Sequence, residues 1–217
     1  MMSFNEWEAE RVGKFTASEV HKLMAKGRNG EYFGQTAKKY IRNKTAEILT
    51  CERIQGFSND AMEWGNAHEE EAATAFENKT GLRFTYHGVA FPKFYDYTDF
   101  SGGSPDGVGD DFIIEIKCPY NSGEHLEHLL ITNATELKEY APEYYWQMVM
   151  NMLVCGKSHG YFISYDPRYA IESQQLKVLK IEPLECDVDK LKERLAEAEK
   201  QLSVTIEAVK DVTELTT

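Results

Sequence analysis

Apolar residues recur at helical spacing in the first third of the chain and at strand spacing further on. Val20, Leu23 and Met24 follow Thr16 and Ser18, and the steps predict a helix over 15–25 capped by one of those hydroxyls. Tyr40, Ile41, Ile48 and Leu49 predict the inward face of a helix over about 36–49. Met62, Ala72, Ala73 and Phe76 do the same over 60–79, with Gly81 as the stop. Asn29-Gly30 and Gly56 to Asn59 read as loops between these helices. Strands are predicted at 82–91, 97–103 and 112–118. Leu126, Leu129 and Leu130 predict a short helix, and a helix over about 143–155, apolar on most sides, follows Pro142. Tyr161 to Tyr165 and Leu176 to Ile181 read as buried strands. Val188, Leu191, Leu195, Ala198, Leu202 and Val209 mark a last amphipathic helix, whose short repeat suits packing on the chain's own core better than a partner coiled coil. This order predicts an α/β fold, a small mixed sheet flanked by helices. It reads as a single domain over 1–217 with a C-terminal packing helix at about 187–210.

Composition narrows the setting. A chain of 217 residues supports one sizeable core. It has no run of about 18 apolar residues, so no membrane span or membrane partner is expected. The first residues lack the basic and apolar regions of a signal peptide. Four scattered cysteines, Cys51, Cys118, Cys155 and Cys186, read as partly buried thiols in a reducing cytoplasm, not a zinc or iron–sulfur site. The net charge of −12 speaks against nucleic acid at first sight. Its distribution speaks otherwise, because residues 11–53 hold ten Lys or Arg against four acids, while 181–217 hold five against ten. A basic segment in an acidic protein can present a phosphate-binding surface or simply a solvated helix face.

The densest chemistry lies at Ser104-Pro105-Asp106-Gly107 and Ile114-Glu115-Ile116-Lys117. On a strand, Glu115 and Lys117 point to one face, and Asp106 lies across the intervening turn. Two carboxylates and an ammonium at one edge can hold Mg²⁺ and activate a water against a phosphodiester. The plain alternatives are a turn acid and the wet face of a strand. Glu69, Glu70 and Glu71 spread around a helix, so at most one or two face inward, and a buried one needs a partner or a metal. His125 and His128 have metal-ligand spacing but no third ligand nearby, and read as surface or capping histidines.

Six short segments together carry a family resemblance. They are Arg11-x-Gly13-x-x-Thr16-Ala17-Ser18, Trp64-Gly65-x-x-x-Glu69, Ser104-Pro105-Asp106-Gly107, Glu115-x-Lys117-Cys118-Pro119, Gln147, and Tyr165-Asp166-Pro167-Arg168. In this order, from Arg11 to Arg168, the chain resembles the lambda-exonuclease-like, YqaJ-type viral recombinases of the PD-(D/E)xK nuclease superfamily. The C-terminal tail and residues 25–60 match poorly. The resemblance implies a restriction-endonuclease-like core and a Mg²⁺-dependent exonuclease that degrades one strand of double-stranded DNA from its 5′ end. It implies that Glu69, Asp106, Glu115 and the carbonyl of Ile116 hold metal, with Lys117 positioning or deprotonating the attacking water. Arg11, Ser18, Ser104 and Gln147 would receive the 5′-phosphate. It further implies a homotrimer that threads DNA, a single-strand annealing protein as partner, and phage-type recombination in a host cytoplasm.

General chemistry agrees with that set. Hard oxygen ligands suit Mg²⁺ or Mn²⁺, and two ions about 4 Å apart can serve both the attacking and leaving oxygens. Arg11 offers a bidentate fork to phosphate. Ser18 stands at a predicted helix start, where phosphate is favoured. Gln147 fits two readings, a phosphate contact or a satisfied amide in a buried helix. Two rival functions share these residues: an endonuclease or repair nuclease with the same metal core, and a catalytically inactive DNA-binding module.

Overall fold

The structure is a computed structural model that describes residues 4–25, 27–28, 30–54, 60–88 and 92–214. The chain enters through α1 (Phe4–Glu10), β1 (Phe15–Thr16), a 3₁₀ turn (Ala17–Glu19) and α2 (His21–Met24). The single helix expected over 15–25 is therefore broken. Phe15 and Thr16 are held extended by parallel pairing with Ser101 and Gly102. Thr16 precedes the 3₁₀ turn without a side-chain cap bond, and Ser18 lies inside that turn. Long-range pairing and the burial of Phe15, Ala17, Val20 and Leu23 override the local helical spacing.

Next come α3 (Gln35–Thr50) and α4 (Asp60–Thr80). Tyr40 and Ile41 point inward as expected, but Leu49 is exposed. The buried face of α3 instead includes Lys44 and Glu47, an ion pair of 2.9 Å. Such a pair escapes apolar periodicity because its burial rests on mutual neutralisation. On α4, Ala72, Ala73 and Phe76 are buried while Met62 is exposed. Gly81, at φ +72°, closes the helix, its N–H donating to the Glu77 carbonyl at 2.8 Å. Asn29 and the predicted loop at Gly56 to Asn59 lie outside the described residues.

The strand region is more divided than its hydropathy suggests. Of 82–91, Phe84–Tyr86 forms β2, and residues 89–91 lie outside the described set. The strand expected at 97–103 is two antiparallel strands, β3 (Tyr95–Thr98) and β4 (Ser101–Gly103). β5 (Gly107–Gly109) carries almost no apolar signal and exists through pairing with β2 and with β6 (Phe112–Lys117). Then follow α5 (Ser122–Leu130), the unpredicted α6 (Ala134–Tyr140), α7 (Pro142–Cys155), β7 (His159–Tyr165), α8 (Glu172–Gln175), β8 (Leu176–Ile181) and α9 (Glu185–Glu214). The strands form a three-stranded sheet, β1-β4-β3, and a five-stranded one, β2-β5-β6-β7-β8. Only β6 and β7 in the larger sheet run parallel.

β6 is buried on both faces, as a central strand flanked by helices must be. Ile113 joins the core built from α2, α3, α7 and α9, while Phe112, Ile114 and Ile116 join Ala72, Ala73 and Phe76 of α4. α9 packs on the same molecule, burying Leu191, Leu195, Ala198 and Leu202. Its Arg194 donates to the carbonyls of Leu23, Ala25 and Tyr32 at 3.0, 3.2 and 2.8 Å. The basic segment is largely paired off: Arg11, Lys14, Lys22, Lys38, Lys44 and Arg53 all have carboxylate partners. Cys51 and Cys186 are exposed and Cys118 buried, so the thiols are not uniformly half-buried. Among the described residues, no helix is long and apolar enough to cross a membrane.

Candidate active site

The pleat of β6 sends Glu115 and Lys117 toward α7. Glu115 is fully buried, which removes the wet-strand alternative for this residue. Its Oε1 accepts from Lys117 Nζ at 2.6 Å and from Gln147 Nε2 at 2.5 Å. Its Oε2 accepts from Asn151 Nδ2 at 2.9 Å. Asp106, just before β5, is latched to the same strand, its Oδ2 accepting from the backbone N–H of Ile116 at 2.6 Å. Of the three consecutive acids on α4, Glu70 and Glu71 are exposed, while Glu69 turns inward. Glu69 lies close to Asp106 and Tyr86.

Three carboxylates in so dry a place resist ionisation. Burial, then the Asp106 charge, pushes Glu115 up to about 7. Burial and the neighbouring Glu69 raise Asp106 well above the usual carboxylate range, and burial raises Glu69. Burial works against the Lys117 charge, but Glu115 and Asp106 outweigh it and raise its pKa. Lys117 is therefore an ammonium. It lies 5.1 Å from the centre of the Tyr144 ring.

The second group of expected residues borders the same space. Arg11, Ser18, Ser104 and Gln147 line a cleft of about 440 Å³ together with Glu69, Asp106, Glu115, Ile116 and Lys117. Arg11 Nη2 lies 3.5 Å from the Ser18 hydroxyl, and its guanidinium stacks 4.1 Å from the Trp7 ring centre. Its Nε is buried without a hydrogen-bond partner. Burial, then Arg53, lowers the Arg11 pKa to about 10, so it stays charged at neutral pH. Trp7 Nε1 donates to Ser104 Oγ at 2.9 Å. Gln147 is 9 % exposed and faces both ways, lining the cleft while donating to Glu115.

The acids fit a hard divalent cation in chemistry, being all-oxygen donors whose mutual repulsion such an ion relieves. No ready-made cage of three His, Cys, Asp or Glu exists among the described residues. Glu115 is turned onto its amide and ammonium donors, while Asp106 accepts from the Ile116 N–H.

His125 and His128 are neither surface nor capping residues. Both are buried and meet at Ser164, each with Nδ1 2.8 Å from its hydroxyl. His125 Nε2 bonds the Gln174 carbonyl at 2.9 Å, leaving the pair a structural network. The sequence reading missed three residues around the site: Asn151, Trp7 and Tyr86. Asn151 was legible, one helical turn after Gln147, and Trp7 one turn before Arg11. Tyr86 had no signal, because only the β2–β5 pairing brings it to Glu69.

Comparisons with known proteins follow the same lines. The family model for the YqaJ-like viral recombinase domain matches residues 6–158. The chain is similar to an alkaline exonuclease from Laribacter hongkongensis, LHK-Exo, with TM-score 0.81 and 28% identity over 98% of this chain and 100% of that one. The complex of LHK-Exo with dAMP matches equally, at TM-score 0.81. A phage-related exonuclease from Haemophilus somnus 129PT shares the fold, with TM-score 0.71 and 20% identity over 90% of this chain and 96% of that one. No curated protein matches the chain. The restriction-endonuclease-like architecture expected from the resemblance is the one these structures share.

Proposed function

The chain belongs to the YqaJ-like viral recombinase family, and from that premise we propose that it is a Mg²⁺-dependent exonuclease degrading one strand of linear double-stranded DNA from its 5′ end. Family membership and the likeness to an alkaline exonuclease support a nuclease. One observation carries the finer reading: a single cleft unites three acids and Lys117 with Arg11, Ser18, Ser104 and Gln147. A hydrolytic centre thus sits beside a cationic, hydroxyl-lined pocket. LHK-Exo has been crystallised with dAMP, and this cleft lies in the size range of small-molecule sites.

Glu69, Asp106, Glu115 and the Ile116 carbonyl would hold one or two ions, Mg²⁺ or Mn²⁺. When bound, these supply an acidified water and charge neutralisation at the phosphate. Lys117, held as an ammonium, orients the water or a phosphate oxygen by donating hydrogen bonds. In that state it does not take up the water's proton. Arg11 offers its guanidinium to a terminal phosphate, and Ser18, Ser104 and Gln147 offer neutral donors. A homotrimer encircling the duplex, and an annealing protein receiving the exposed strand, complete the proposal.

The test is digestion of linear and nicked circular duplex, with and without Mg²⁺. Loss of the linear form alone, and only with the ion, is expected. Cleavage of intact circle segments would point to an endonuclease. An inert protein on both substrates would point to a binding module.

A further inference from the structure

Asn151 is an amide with no exposure, placed in a helix whose neighbouring positions from Tyr145 to Met152 are buried. Its Nδ2 donates to Glu115 Oε2 at 2.9 Å. Its Oδ1 is buried without any hydrogen-bond partner. A buried acceptor left unmade is unfavourable, so this amide holds its place through the one bond it makes, to Glu115. Its room is also specific. A Cβ on Gly103 of β4 would come within 2.3 Å of Asn151 Oδ1, so glycine at this position leaves the amide its place. Gln147, one turn earlier on α7, donates to the other Glu115 oxygen. The two amides thus grip both oxygens of one carboxylate.

We infer that Asn151 is a positioning residue for Glu115, fixing the rotation of its carboxylate so that the remaining lone pairs face the cleft. Asn151 does not line the cleft itself. It acts through Glu115 and touches no substrate. Each carboxylate oxygen has two lone pairs, so an oxygen held by an amide can still ligate an ion. The inference rests on the ion-binding reading above.

Two variants test it. Asn151→Leu keeps the approximate shape and removes the donor. Gly103→Ala keeps the amide and forces it to rotate away, and it serves if the first variant fails to fold. The readouts are Mn²⁺ binding by calorimetry without DNA, metal-free melting temperature, and the split of kcat from KM. Loss of a residue that orients a metal ligand typically weakens metal affinity by roughly 10–100-fold. The expected result is Mn²⁺ affinity down about ten-fold or more, with kcat reduced and KM for DNA little changed. The metal-free Asn151→Leu protein melts below the wild type, because the buried Glu115 Oε2 loses its donor, so Mn²⁺ affinity is the deciding readout. A merely structural role would lower the melting temperature and leave Mn²⁺ affinity untouched. Wild-type Mn²⁺ binding with unchanged affinity in the variants overturns the inference alone. A wild type that binds no Mn²⁺ overturns the ion-binding reading, and this inference with it.

Discussion

At the scale of single residues, the site is a set of charges held against their own preference. Lys117 is half-buried beside two carboxylates, and their attraction keeps it protonated. Its contribution belongs to the reacting water or phosphate, not to general DNA affinity. Lys117→Ala is expected to lower turnover by about 10²-fold or more, with DNA affinity in Ca²⁺ little changed. Normal turnover at saturating DNA, with weakened binding, would contradict this role. Arg11 carries the charge of the proposed phosphate pocket. Hydrogen bonds to charged groups contribute roughly 1.5–3 kcal/mol, against about 1 for neutral ones. The wild type should therefore digest 5′-phosphorylated duplex about ten-fold faster than 5′-hydroxyl duplex. Arg11→Ala should shrink that ratio chiefly by slowing the phosphorylated substrate. Equal initial rates on both ends in the wild type would remove the pocket.

At the scale of elements, β6 and β7 organise everything around them. β6 presents Glu115 and Lys117 to α7, and Ser164 of β7 pairs in register with Lys117. On α5, the histidines at 125 and 128 clasp that serine. Burial, then His125, pulls His128 down to about 4 from the ordinary value of 6.5. The folded state therefore holds fewer protons on this group than the unfolded state. Its contribution is complete above pH 6.5 and is lost as pH falls toward 4. The total is roughly 3 kcal/mol if the whole shift is realised. His128→Gln should flatten the fall in melting temperature between pH 7 and pH 4.5. Parallel profiles for the two proteins would show that the pair does not drive the acid loss.

At the scale of the whole molecule, charge poses a problem for DNA binding. The net charge is −12, and much of the basic N-terminal segment is spent on internal ion pairs. The acidic α9 lies against the core side of that segment, through Arg194 and the leucine stripe. One copy offers DNA a modest cationic surface. Several copies arranged around a duplex would concentrate it and keep the acidic exterior outward. A trimer is therefore expected by light scattering at micromolar concentration, and a monomer mass there would exclude the ring. Added salt should weaken DNA binding.

Much of this was legible before any coordinates. Asp106, Glu115 and Lys117, the long helices and the three strands β6, β7 and β8 follow from local spacing, because a continuous apolar run or a helical stripe records which faces are buried; Glu69 was singled out from its two neighbours only by the family resemblance. Gly81 marked the end of α4 because a positive φ suits glycine. Tertiary structure alone decided the rest. β1 and β5 are strands only because distant segments pair with them, and neither carries a periodic signal of its own. The inward places of Lys44, Glu47, His125 and His128 rest on partners far apart in the fold or on mutual neutralisation, which hydropathy does not record. The grip of Asn151 on Glu115 likewise needs α7 laid across β6 and an empty Cβ position at Gly103. Residue types and spacing state which chemistry is available; only the crossing of chain segments determines which atoms meet.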